Sequence, residues 1–296
     1  MTEQFSIIHS HDGAGDDQMA LLLLLTKYKL LATVLTPADS YLEPAKEMTQ
    51  KLLTITNCED IPFIVNDIDT PNTFPLQWRD ESYSINNLIK IDKDYKHIKT
   101  FNLEKLVEII LASEKRIIFI ETGPLTTLSQ CLKLAPSIEH KISKVIWTGG
   151  SFGLNGFNPP DNCDGSQTYN SYCDPSSAND VWQTSIDIVL LTREVTEKAF
   201  LSKEFYENLP LSKYGSIFRD VYSFYVDQSY YRLWDVLTVS YIDIPNSFNH
   251  VKHRCKIIVE GESQGKTETC DDGKEVVAIT NVDLNDFYSY VLKQLY

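Results

Sequence analysis

The sequence is short of positive charge. Its 27 Lys and Arg stand against 41 Asp and Glu, a formal net charge of −14. That balance argues against nonspecific binding of DNA or RNA, which needs a basic face. It also disfavours an anionic membrane surface and substrates carrying several phosphates. Long apolar runs are missing too: the longest, around Met19 to Leu25, is too short to span a bilayer. Met1-Thr2-Glu3-Gln4-Phe5 lacks the basic-then-apolar order of a secretion signal. The six cysteines (Cys58, Cys131, Cys163, Cys173, Cys255 and Cys270) are scattered and form no C-x-x-C pair. In a chain of 296 residues this reads as reduced thiols in a cytoplasmic protein. Cys163 and Cys173 flank one loop and are the pair that an oxidising compartment would join. Internal repeats, low-complexity tracts and linkers are also lacking, so residues 1–296 read as one domain.

What is present is alternation. Apolar strands are expected at residues 5–9, 30–35, 61–65, 116–121, 144–148 and 186–191. Helices are expected between them at 16–28, 44–55, 103–113, 124–134 and 175–183, and residues 193–243 read as mainly helical. Strands this apolar, separated by helices, predict an α/β fold. It is an open, mostly parallel, Rossmann-like sheet with helices on both faces. Residues 253–260, 267–269 and 275–279 read as a small antiparallel C-terminal addition, followed by a helix from Leu284. Two stretches lack a clean period: 66–100, and the Gly-, Asn- and Pro-rich 149–173. Long irregular insertions in such a fold are commonly functional.

The first strand runs into His9-Ser10-His11-Asp12-Gly13-Ala14-Gly15-Asp16-Asp17, where a strand, a glycine turn and a helix meet. In open α/β sheets, ligands bind at such carboxyl ends. Gly13-x-Gly15 fails as a dinucleotide fingerprint: the third glycine is missing, and two carboxylates occupy the place of a pyrophosphate. Three carboxylates at one turn are costly unless something positive sits among them, and a hard divalent cation is one answer. The plainer reading is that Asp16 and Asp17 favour a helix N-terminus; it does not account for Asp12. His9-x-His11 resembles the opening of zinc hydrolases of the amidohydrolase type. However, the remaining histidines, His97, His140, His250 and His253, do not follow predicted strands, so ordinary packing is the better reading of this pair.

His11-Asp12-Gly13-Ala14-Gly15-Asp16-Asp17 resembles the N-terminal signature of the nucleoside hydrolases, the calcium-dependent N-ribohydrolases. Further pieces follow in order: Thr36-Pro37-Ala38-Asp39, Phe74-Pro75-Leu76-Gln77-Trp78-Arg79, Thr122-Gly123-Pro124-Leu125, Gly149-Gly150, Asn170 with Asp174-Pro175, and Leu233-Trp234-Asp235. The resemblance covers nearly the whole chain. It implies hydrolysis of the N-glycosidic bond of a nucleoside. One Ca²⁺ would be held by Asp12, Asp17, Asp235 and the backbone carbonyl of Thr122, all hard oxygen donors. Asp12 would activate a calcium-bound water, and Asp16, Asn170 and Asp235 would hold the ribose diol. Trp78 and Trp234 would stack on the leaving base, as in the purine-preferring branch, with Asp39 near the base edge. A homodimer or homotetramer is the assembly the family suggests.

The chain also departs from the family pattern. Ser10 stands where the motif begins with Asp, and Gln77 stands where the purine branch has Glu. The positions expected to contact the ribose 5′-hydroxyl are Phe157 and Thr168, with Asn158 beside the first. These departures leave two alternatives open: the same chemistry on a 5′-modified nucleoside, or a catalytically weak nucleoside-binding homologue.

Overall fold

The apolar runs become strands of one ten-stranded sheet in a computed structural model that describes residues 5–153 and 163–296. The strands are β1 (Phe5–His11), β2 (Ala32–Leu35), β3 (Phe63–Val65), β4 (Thr100–Phe101), β5 (Arg116–Glu121), β6 (Ile142–Thr148), β7 (Asp187–Leu191), β8 (Phe248–Ile257), β9 (Thr267–Thr269) and β10 (Lys274–Val282). Their spatial order is β4-β3-β2-β1-β5-β6-β7-β10-β8-β9. Pairing is parallel from β4 through β7 and on to β10; the pairs β10–β8 and β8–β9 are antiparallel, so β8 alone runs against the rest.

Successive side chains of a strand point to opposite faces, and here both faces are covered. Ile7, Ile118, Ile120, Ile146, Val189 and Leu191 enter one core layer. Their neighbours Ile8, Ile117, Phe119, Val145, Trp147 and Leu190 enter the other. This is why Arg116–Glu121 reads as a continuous apolar run rather than an alternating one. The helix Gly15–Leu25 is buried along its whole length, packed between the sheet and the outer helices Lys213–Tyr222 and Trp234–Ser240. A helix that is apolar all round after its first turn has no other stable place.

The strand order reverses beside β1: the chain steps one way through β2, β3 and β4, then returns to lay β5, β6 and β7 on the other side. The crevice at the carboxyl ends of β1 and β5 is therefore the topological switch point. The residues that follow those two strands are Asp12 and Thr122.

Three expectations change. The 66–100 stretch is not an irregular insertion throughout: it holds the helix Leu76–Leu88 and β4, and Trp78 lies in the first turn of that helix. The 149–173 stretch ends in the short helix Tyr169–Cys173. The small antiparallel C-terminal part is present as expected, but β8 begins earlier, at Phe248, and β10 also pairs in parallel with β7, which joins that part to the main sheet. Among the described residues, no two cysteines are joined in a disulfide. Among the described residues, no helix is long and apolar enough to cross a membrane.

Candidate active site

A cavity of about 380 Å³ opens at the switch point. Its lining brings together Asp12, Asp16, Asp17, Asp39, Trp78, Thr122, Thr168, Asn170, Trp234 and Asp235, each singled out from the sequence. Phe157 and Asn158 lie outside the described residues.

The acidic turn is built around Gly13, whose φ of +90° suits glycine. A Cβ there would stand 2.6 Å from both Ala45 Cβ and Ser40 Oγ, so the turn could not carry a side chain. Asp17 accepts from the Ala14 N–H (3.0 Å) and from the Thr122 hydroxyl (2.5 Å). Asp17 thus closes the helix, as the helix-terminus reading expects, and the same carboxylate ties β1 to β5. Asp16 accepts from the Tyr222 hydroxyl (2.7 Å) and from the Asp235 N–H (2.6 Å), which fixes the Trp234–Ser240 helix against the turn. Asp235 accepts from the Thr148 hydroxyl (3.0 Å). The Asn170 side-chain amide donates to the carbonyls of Thr122 (2.7 Å) and Thr148 (2.9 Å). The Thr168 hydroxyl accepts from the Gly150 N–H (3.2 Å).

Crowding perturbs these acids. Burial pushes Asp12 well above the ordinary carboxylate range, and the charges of Asp17, Asp39 and Asp235 push it further. Asp235 rises for the same reasons, burial first and then Asp17 and Asp16. Asp39 is also raised, by burial and then Asp17. Asp16 is pushed up to about 7 by burial, against the pull of its two hydrogen-bond donors. A cation among them would reverse that crowding. Asp12, Asp17 and Asp235, with the Thr122 carbonyl, form an all-oxygen set that suits Ca²⁺ chemically. Among the described residues, no three acidic, imidazole or thiol groups already form a finished cage. The fit therefore rests on the chemistry of the donors.

Aromatic residues wall the cavity. On one side Trp78 meets Tyr169 edge-on (4.9 Å between centroids), and Phe74 stacks on Tyr169 (4.8 Å). On the other, Trp234 meets Tyr231 edge-on (5.0 Å), and Tyr231 stacks on Tyr225 (3.6 Å). His9 and His11 pack beneath the site with their rings 5.2 Å apart. Burial lowers both, His11 to about 4, so they are neutral imidazoles. His97, His140, His250 and His253 do not line the cavity.

The sequence reading missed Tyr222, Phe74, Tyr169 and the Tyr225–Tyr231 wall. Phe74 and Tyr169 sat inside or beside motifs already singled out. Tyr222 offered no such signal, only a place on an amphipathic helix. It also passed over Glu121, a fully buried acid whose register partner on β1 is Ser10, the position at which the motif departs from Asp.

The inosine-uridine preferring nucleoside hydrolase family model matches residues 7–289. The pyrimidine-specific ribonucleoside hydrolase RihA of Enterobacter sp. (strain 638) is 26% identical over 65% of this chain and 61% of its own length. RihA of Escherichia coli O81 (strain ED1a) is 23% identical over 86% of this chain and 85% of its own. The crystal structure of an inosine-uridine preferring nucleoside hydrolase from Bacillus anthracis superposes with a TM-score of 0.90 at 28% identity, covering 98% of this chain and 99% of that one. A purine-preferring ribonucleoside hydrolase from Gardnerella vaginalis, 18% identical, shares the fold at a TM-score of 0.82, covering 98% of each chain. With the family model spanning nearly the whole chain and an acidic, aromatic-walled cavity at the switch point, this chain belongs to the inosine-uridine preferring nucleoside hydrolase family, hydrolases of N-glycosyl bonds.

Proposed function

We propose that the cavity cleaves ribonucleosides to free base and ribose, with the sugar over the carboxylates and the base between the aromatic walls. The observation that carries this reading is the convergence of Asp12, Asp16, Asp17 and Asp235 in one cavity also lined by Trp78 and Trp234. Cleavage of an N-glycosidic bond passes through an oxocarbenium-like sugar, and fixed carboxylates favour its positive charge. Asp12 accepts the proton of the attacking water. Asp16, aimed by Tyr222 and the Asp235 N–H, orients a ribose hydroxyl together with Asn170 and Asp235. Ca²⁺ held by Asp12, Asp17, Asp235 and the Thr122 carbonyl would, when bound, make a water more acidic and engage the ribose diol.

Trp234 has no titratable group, so departure of the base is assisted by stacking between indoles rather than by an acid at that position. On that ground we read the site as purine-preferring, with Asp39 at the base edge. The RihA relatives, pyrimidine-specific by name, make the pyrimidine arms of the test essential. Base release should be followed for inosine, guanosine, adenosine, uridine and cytidine, with and without chelator, for the wild type and Asp12→Asn. The expected result is purine release, abolished by chelator and by the substitution. Release from none of the five, or release indifferent to both, would falsify the proposal.

A second reading concerns the 5′ end of the sugar. Thr168 brings a small, uncharged side chain whose hydroxyl is already engaged by Gly150. A substrate modified at the 5′ carbon would fit this end, and 5′-deoxyinosine should then turn over faster than inosine. Equal or slower turnover rejects it.

A further inference from the structure

We propose that Glu121 is a positioning residue for this reaction: with Trp147 it clamps the Gly123 peptide and so sets the Thr122 carbonyl and the Asp12 backbone. The inference rests on the proposed function above and concerns groups that reading does not use.

Ser10, Glu121 and Trp147 lie side by side in register on β1, β5 and β6, all fully buried on one face of the sheet. The turn after β5 folds back over them. The Glu121 carboxyl accepts the Gly123 N–H (3.0 Å), and the Trp147 indole N–H donates to the Gly123 carbonyl (2.9 Å). Both backbone polar groups of Gly123 are thus held by side chains from two different strands, and its N–H shares a peptide plane with the Thr122 carbonyl. Gly123 in turn lies directly against the base-bearing turn. A Cβ on it would stand 2.9 Å from Asp12 Cβ and 3.1 Å from the Asp12 nitrogen. There is no slack between clamp and Asp12, so a shift of Gly123 is a shift of Asp12. The preceding carbonyl, Thr122, is the one that Asn170 holds and that belongs to the proposed calcium set.

Fold stability alone does not explain this acid. The strand before it, Arg116 to Ile120, is apolar after its first residue, and a further apolar side chain would serve the core better than a carboxyl with no cation beside it. The Glu121 carboxyl is fully buried, with the Gly123 N–H on one of its oxygens. A residue that breaks the local pattern at such a cost, one position before a site carbonyl, is placed for the site.

The test compares Glu121→Ala, Glu121→Gln and Trp147→Phe with the wild type by calorimetric Ca²⁺ titration, steady-state base release and thermal unfolding. Glu121→Ala should weaken Ca²⁺ binding about tenfold and lower kcat about thirtyfold, with KM little changed. Glu121→Gln keeps an oxygen for the Gly123 N–H and should stay within about threefold of wild type on both readouts. Trp147→Phe removes the other jaw together with some buried ring packing, which the melt reads separately, and should fall between them in Ca²⁺ affinity and kcat. Wild-type Ca²⁺ affinity and kcat in Glu121→Ala overturn the proposal. So does a Gln variant as impaired as Ala while melting like the wild type, or a loss confined to KM. Should the Ala variant fail to fold, an unimpaired Trp147→Phe overturns it instead. A wild type that binds Ca²⁺ but releases no base refutes the proposed function and leaves the Ca²⁺ titration to decide the clamp; a wild type that does neither refutes both.

Discussion

The floor and the walls of the cavity are made differently. Asp12, Thr122 and Thr148 sit at or just beyond the carboxyl ends of β1, β5 and β6, so a ladder of parallel pairs sets their spacing. Trp78, Tyr225, Tyr231 and Trp234 come from helices and turns outside the sheet. The floor can hold acids in a fixed array because its backbone cannot drift. The walls lie outside that ladder, though Trp234 is tied to the floor through the next residue, Asp235, whose N–H holds Asp16. On the proposed function, bond cleavage belongs to the floor and the choice of base to the walls.

Substitutions on either side test that division. Asp12→Asn should lower kcat by about a thousandfold for every nucleoside alike, while thermal unfolding shows the fold intact. A loss that differs between purines and pyrimidines would blur the division. Trp78→Ala should cost roughly 1–3 kcal/mol of base stacking, read as a higher KM, and should shift the ratio of inosine to uridine turnover. A uniform fall in kcat with the ratio unchanged would move Trp78 to the catalytic side. Tyr222→Phe removes a donor to a floor acid and should cost about 1.5 kcal/mol of stability in a melt, with a modest loss of kcat and no change in base preference.

The smallest effect is a slope with pH. Asp16 and Glu121 have folded-state pKa values above their ordinary ones, about 7 and about 8, so the native state binds more protons than the unfolded chain. Stability of the calcium-free protein should therefore be fullest below about pH 4 on their account and fall as pH rises towards 8. Melting in EDTA across that range measures the slope. Added Ca²⁺ should blunt it, and an identical slope with the metal would remove the cation from the floor.

Much of the floor was legible in the sequence because strand ends announce themselves: an apolar run stops, glycines follow, and the acids stand out. The wall was legible only in part. The helix that carries Trp78 has no continuous apolar stripe, and its buried positions are Ser82, Ile85 and Asn86. It docks through polar contacts, the Lys51 ammonium donating to the Asn86 carbonyl and side-chain oxygen at 2.8 and 2.9 Å. A hydrophobic period cannot report such an interface. The parallel pairing of β10 with β7 was hidden for another reason: β8 and β9 are nearer in sequence and suggest a hairpin, while nothing local marks a partner so far back. Tyr222 was hidden because its hydroxyl serves a residue 206 positions away.

The bond from the Asp235 N–H to Asp16 spans 219 positions, and this has a consequence for synthesis. A growing chain carries Asp12, Asp16 and Asp17 from its earliest moments, but β1 has a neighbour only on its β2 side until β5 emerges, and there is no late acid until the helix at Trp234 docks. Domains are made N-terminal part first. The half-made protein therefore holds a group of acids with no finished site around it, and on the proposed function cleavage can begin only after the helix at Trp234 is in place. Catalytic activity is in this sense a timer as well as a chemistry: its appearance would mark the moment at which the Trp234 helix has docked on the acidic turn.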